Sequence, residues 1–314
     1  MRRNVLLTIS LLIGLLATPA LATPVPDFDT TQAMASAAYL SVDIGERAAG
    51  EPGEVVAAAF ISETLGGFGY PIALQSVPFE RFTVPYTSTN VIAVKQGAPG
   101  YGTLYIGAHF DTVYRPQPDW PLGGPGANDN ASGIAVMMEA ARMLASEPLS
   151  PTLVFVAFGA EEIGLVGSRY YVDHLAAPDR VTADGMINLD CVGIGDKLGV
   201  FWRDPAHADF AESLGVVADV AELNTFAMSD HVSFATALIP AAFLNASDNG
   251  TPSCGPNYHL PTDTIDTLEP AAISRTGTAV VVAIQRVAAN AQPRQARFAY
   301  LPIALNRAEP GPAH

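Results

Sequence analysis

Apolar residues along the chain fall into two rhythms, one of helical spacing and one of short unbroken runs. Val56, Phe60 and Leu65 recur at near-helical intervals, and Gly66-Gly67 follows, which predicts a helix over Val55–Leu65. Strand-like runs come next at Ile72–Phe79 and Asn90–Val94. Leu104–Ala108, Leu153–Phe158 and Met186–Leu189 are short, continuously apolar and bounded by glycine or polar residues, as strands buried on both faces are. Val200–Trp202 and Ile239–Leu244 read as further strands. Helices are predicted over Ile134–Leu144, Gly164–Leu175, Pro205–Val217 and Pro270–Val287, the last with proline in its first turn.

Strands alternating with helices imply an α/β three-layer sandwich: a central, mostly parallel or mixed sheet with helices on both faces. In such sheets functional groups gather beyond the carboxyl ends of the strands. His109, Glu161 and Asp190 each lie just past the end of an apolar run, so the pattern itself singles them out.

Composition narrows the setting. With 314 residues, 49% hydrophobic and 15% charged, the chain can bury one large core. A net charge of -15 excludes nucleic acid and anionic membrane as natural partners. Arg2-Arg3, the apolar stretch Val5–Ala17 and Ala20-Leu21-Ala22 read as a signal peptide over residues 1–22, so export to the periplasm or the extracellular space is expected, with no stable membrane insertion once it is removed. The expected layout is then an N-terminal segment 23–40, which is a pro-segment or the first strand or helix of the domain, a catalytic-type domain 41–290, and a proline-containing tail 291–314. Cys191 and Cys254 are the two cysteines, either paired or two buried thiols.

The chemistry lies in six residues taken in order: His109, Asp129, Glu161, Glu162, Asp190 and His259. Two imidazoles, one bridging carboxylate, two terminal carboxylates and one spare carboxylate are what a pair of zinc ions needs. Each residue alone has a plainer reading. His109-Phe110-Asp111 is a strand-end pair in which Asp111 orients the imidazole. In Gly126–Gly133, Asp129 either faces metal or caps the following helix. Glu161-Glu162 is either a ligand beside a general base or a charged loop start. Asp190 closes a buried strand, where a carboxylate must be paired, capping or metal-bound. Beside His259, Tyr258 is placed to hold an oxyanion, and Asp263 orients His259 or caps a turn. Ser229-Asp230-His231 reads as pocket wall or support.

The run His109–Thr112, the loop Gly126–Gly133, Glu161-Glu162, Asn188–Asp190 and Tyr258–Thr264 together resemble the zinc aminopeptidases of peptidase family M28, with weaker similarity at Ile44–Arg47 and Gly69–Pro71. The resemblance covers about residues 40 to 290 and implies the zinc-dependent exopeptidase fold. It implies two zinc ions, one on His109 and Asp190, the other on Glu162 and His259, bridged by Asp129. Glu161 would be the general base and Tyr258 an oxyanion donor. The implied substrates are peptides with a free N-terminus. Alternatives within the resemblance are a carboxypeptidase or dipeptidase, for which Arg169 and Arg203 are candidate carboxylate anchors, a glutaminyl-cyclase-like acyl transferase using one zinc, and a non-catalytic receptor-like domain.

Overall fold

In the computed structural model, which describes residues 27–117, 119, 121–214, 219–248 and 251–294, the apolar runs become the middle of one sheet. Its strands are β1 (Ile72–Arg81), β2 (Val84–Lys95), β3 (Thr103–His109), β4 (Thr152–Phe158), β5 (Ala183–Leu189), β6 (Leu198–Trp202), β7 (Val220–Leu223), β8 (Ala241–Asp248) and β9 (Thr251–Pro252). They lie in the order β1-β2-β4-β3-β5-β8-β6-β7, with β9 paired to β8. β4, β3, β5 and β8 are mutually parallel, while β1-β2, β2-β4 and β8-β6 are antiparallel. The sheet is thus mixed with a parallel centre, as expected.

The helices are α1 (Thr30–Ala38), α2 (Pro52–Gly67), α3 (Ser132–Leu144), α4 (Val166–Asp173), α5 (Ala177–Thr182), α6 (Ala208–Ser213), α7 (His231–Thr236) and α8 (Pro270–Asn290). Alternation along the central strands makes two cores. Leu104, Ile106, Leu153, Phe155 and Ile187 face the larger one, which α1, α2, α3, α6 and α8 cover. Tyr105, Val154, Val156, Phe158 and Met186 face the smaller one, beneath α4 and α7. A strand buried on both faces cannot alternate apolar with polar, which is why these runs read as continuous.

The structure fills in one open reading and corrects several expectations. Residues 30–38 form a helix, and Ala33, Ala37 and Leu40 sit in the larger core, so this stretch is built into the fold. The antiparallel pair β1-β2 is longer than its apolar pattern, because Val84–Asn90 is mostly polar and contains Pro85 yet continues the ladder opposite β1. The helix expected over 164–175 spans only Val166–Asp173, since Leu165 is left-handed. That expected over 205–217 is a short 3₁₀ turn, Pro205–His207, followed by α6; residues 215–218 lie outside the described residues. α5, α7 and β7 have six residues or fewer, too short for a period to show. The signal peptide and residues 295–314 of the tail also lie outside the described residues. Among the described residues no helix is long and apolar enough to cross a membrane.

Candidate metal centre

The carboxyl ends of β3, β4 and β5 converge, and the side chains just beyond them meet in one cluster. His109 ends β3, Glu161 and Glu162 follow β4 by three and four residues, and Asp190 follows β5 directly. Asp129 enters from the loop before α3, and His259 from the loop after β9. Left-handed backbone at Ala160, Cys191 and His259 turns the chain sharply at three of these points. Such conformations in non-glycine residues concentrate at functional sites.

Asp129 stands in the middle. Its Oδ1 is 3.3 Å from His109 Nε2, and its Oδ2 is 3.2 Å from His259 Nε2. Asp190 Oδ1 lies 3.4 Å from His109 Nε2, and Glu162 Oε2 lies 3.1 Å from His259 Nε2. Two triads result, His109–Asp129–Asp190 and Asp129–Glu162–His259, sharing one carboxylate. Donors about 2.1 Å from a tetrahedral zinc lie ~3.4 Å from one another, so these spacings suit a zinc ion in each triad. Asp190 Oδ1 and Glu162 Oε1 are buried and accept no hydrogen bond among the described residues. Orphaned carboxylate oxygens aimed into a cluster with two imidazoles are a donor set that fits metal. A third grouping brings Glu161 and Glu162 together with His109, and a fourth, of Asp129 with Cys191 and Cys254, is not available for metal because the two cysteines are joined in a disulfide.

The surroundings explain how the donors are aimed. His109 Nδ1 lies 3.2 Å from the Asp111 carbonyl and 3.6 Å from its carboxylate, which leaves Nε2 for the cluster. The Asp111 carboxylate also accepts the backbone N–H groups of Glu161 and Glu162, at 3.0 and 3.2 Å. One fully buried side chain therefore supports a histidine and the turn carrying both glutamates. Asp263 has a different partner from the two expected: it does not reach His259 but accepts the N–H groups of Asn128 and Asp129, at 2.8 and 2.9 Å. Asp129 is no helix cap. The residue before α3 is Ala131, and the side chain that reaches the helix's first turn is Asn130, whose Oδ1 accepts the Gly133 N–H at 2.9 Å. Tyr258 stacks on the His259 ring with centroids 3.7 Å apart and remains half exposed at the edge of the cluster.

Electrostatics follow from crowding acids in a buried place. Burial raises the Glu161 carboxyl well above the usual range, and Glu162, Asp230 and Asp190 add to it. Glu162 rises to about 7, again through burial and then Asp129. Burial opposes charge on Asp129 as well, but hydrogen bonds from His109 and His259 hold its carboxyl below the usual range. Burial likewise disfavours the charged form of His259, yet Asp129 and Glu162 outweigh it and raise the imidazole to about 10.

Three supports were not legible as such. Arg47 is fully buried, and its guanidinium donates to the carbonyls of Phe110, Leu40, Gly45, Pro125 and Gly126 at 2.6–3.0 Å. It clasps the ends of both loops that present His109 and Asp129. Asn130 Nδ2 donates to the Leu189 carbonyl at 2.9 Å, tying the Asp129 loop to the end of β5. The disulfide joins the residue after Asp190 to the segment leading to His259, with Cα atoms 5.1 Å apart. Asp230 and His231 are fully buried; Asp230 adds to the acids around Glu161, and His231 stacks on Phe243.

Comparison with known proteins places this geometry. The model of peptidase family M28 matches residues 90–284. The chain belongs to peptidase family M28. Aminopeptidase YwaD of Bacillus subtilis is 35% identical over 213 residues, covering 63% of this chain and 44% of that protein. Leupeptin-inactivating enzyme 1 of Streptomyces exfoliatus is 29% identical over 261 residues, 76% of this chain and 57% of its own. This M28 chain thus spans about half the length of the curated relatives it matches. Its fold superimposes on the crystal structure of BSAP, a zinc aminopeptidase from Bacillus subtilis, with a TM-score of 0.73 at 22% identity, covering 84% of this chain and 96% of that one. The glutaminyl cyclase of Bacteroides thetaiotaomicron shares the fold with a TM-score of 0.69 at 20% identity.

Proposed function

We propose that the chain is an exported di-zinc aminopeptidase that removes N-terminal residues from peptides. The observation that carries this reading is Asp129, whose two oxygens face two different histidines at 3.3 and 3.2 Å. His109 and Asp190 would hold one zinc, Glu162 and His259 the other, and Asp129 both. Bound zinc supplies Lewis acidity and makes water a nucleophile at neutral pH. Glu161 groups with His109 and Glu162 but lies outside the two triads that share Asp129, and its raised carboxyl suits proton transfer. It accepts the proton of the attacking water and passes it to the leaving amine. Tyr258, protonated and at the edge of the cluster, donates to the developing oxyanion. The surrounding carboxylates favour a substrate α-ammonium over an internal peptide. The two-histidine, shared-carboxylate arrangement favours this reading over a one-zinc cyclase.

The test is release of p-nitroaniline from Leu-, Ala- and Arg-p-nitroanilide, and from N-acetyl-Leu-p-nitroanilide. The free amines should be cleaved and the acetylated substrate rejected. Activity that survives chelation and Glu161→Gln, or equal cleavage of the acetylated substrate, removes the proposal.

A further inference from the structure

The disulfide lies between the metal centre and an open cavity. On one side, both sulfurs stand within 4.8 Å of an Asp129 carboxylate oxygen. On the other, Cys254 lines a cavity of about 370 Å³, together with Ile194, Asp196, Asn257, Asp263 and Glu269. Cys191 is fully buried, whereas Cys254 is partly exposed.

The same bond joins the two halves of the centre. Cys191 directly follows Asp190, assigned to one zinc, and Cys254 comes five residues before His259, assigned to the other. The remaining ties here are single hydrogen bonds. Asn128 Nδ2 donates to the Cys254 carbonyl at 3.2 Å, and Gly123 N–H donates to the His259 carbonyl at 2.9 Å. Removing a group that orients a metal ligand lowers metal affinity about 10–100-fold.

We propose that Cys191–Cys254 is a redox switch on the metal centre, opened by small cationic thiols that enter this cavity and attack Cys254. The inference rests on the two-zinc reading above. A thiolate bonds to Cys254 Sγ, the disulfide bond breaks, and its electron pair leaves on Cys191 Sγ, which takes a proton from solvent. A second thiol attacks the outer sulfur of the mixed disulfide and leaves Cys254 as a thiol. The chain gains two electrons and two protons, and the two small thiols become one disulfide. Opening frees the segment that carries His259, so the zinc on Glu162 and His259 loosens first. Charge selects the thiol. Asp196, Asp263 and Glu269 line the cavity and no lysine, arginine or histidine does, so an ammonium is drawn in and a carboxylate is held off.

The experiment has two arms. In the first, cysteamine and 3-mercaptopropionate reduce the protein at low ionic strength, and freed thiols are alkylated with iodoacetamide and counted by mass. Each rate is divided by that thiol's rate on bis(2-hydroxyethyl) disulfide, a neutral reference. Cysteamine should be about tenfold faster, and Asp196→Lys/Glu269→Lys should remove its lead. Equal rates on the wild type, or an unchanged lead in that variant, overturn the inference. In the second arm, Cys191→Ala/Cys254→Ala is titrated with zinc beside the oxidised wild type. One of its two zinc ions should bind about 10–100-fold more weakly, with far-UV circular dichroism unchanged. Should that variant not fold, the reduced and alkylated wild type replaces it, and loss of circular dichroism in both overturns the inference, since the opening is local. Two zinc ions bound as tightly as in the oxidised wild type also overturn it, while the two-zinc reading stands. Fewer than two zinc ions on the oxidised wild type overturn that reading and the inference together.

Discussion

Gly133→Ala sets two effects against each other, and their sizes decide the outcome. Gly133 is the second residue of α3 and has no left-handed backbone. Helix propensity alone therefore favours alanine by ~1 kcal/mol. The packing opposes it. An added Cβ would lie 2.4 Å from Asn130 Oδ1 and 2.7 Å from the Leu189 carbonyl oxygen, neither of them a flexible side-chain end free to swing away. Asn130 is fully buried and uses its amide three ways: it accepts from Gly133 N at 2.9 Å and Cys191 N at 3.4 Å, and donates to Leu189 O at 2.9 Å. Displacing it leaves two or three of these groups unpaired inside the protein, at ~1–3 kcal/mol each. Two groups at about 1.5–2 kcal/mol each, less the ~1 kcal/mol of propensity, leave a net destabilisation of ~2–3 kcal/mol. In a domain of this size that lowers Tm by about 5–10 °C. Calorimetry of wild type and variant in the same zinc-containing buffer measures it. A variant with unchanged or higher Tm would refute the argument that Asn130 bolts the Asp129 loop to β5.

Glu161→Gln should lower kcat by about 10²–10⁴ with zinc content unchanged, since the side chain is assigned to proton transfer and lies outside the two triads that share Asp129; lost zinc would contradict the assignment. Arg47→Met strands five carbonyls, three of them fully buried, and should cost ~3 kcal/mol or more in urea unfolding, with Arg47→Lys recovering part, because an ammonium has three donors for five acceptors. Glu54 lies buried between Ser88 Oγ and Gly50 N–H, and burial, then Asp111, raises its carboxyl to about 8. A folded pKa above the unfolded value means that stability is fully present below about pH 4.5 and is lost as pH rises to about 8. Glu54→Gln, able to accept from Gly50 and donate to Ser88, should therefore gain over wild type by a few kcal/mol between pH 5 and pH 8.5; a gain that does not grow with pH would refute it.

The parts of the fold that were legible share one cause. Leu104–Ala108, Leu153–Phe158 and Met186–Leu189 are buried on both faces, so their sequences are apolar throughout and announce central strands. Val84–Asn90 was not legible, since the hairpin continues through polar residues whose backbone pairing leaves no mark on hydropathy. Nor was α7, one and a half turns in His231–Thr236. At the site, residues placed by strand ends stood out because strand ends are visible. Their supports did not. The Arg47 guanidinium bonds only to carbonyls, and Asp263 acts on N–H groups 134 and 135 residues away, contacts that exist only once the chain has folded. The pairing of Cys191 with Cys254 likewise depends on distance across a separation of 63 residues.

The central claim is that Asp129 serves two metal ions at once. Zinc per chain, measured by inductively coupled plasma mass spectrometry on protein loaded with zinc and freed of excess, tests it most directly. The account predicts two zinc ions per chain, and a stoichiometry of one or none would contradict it.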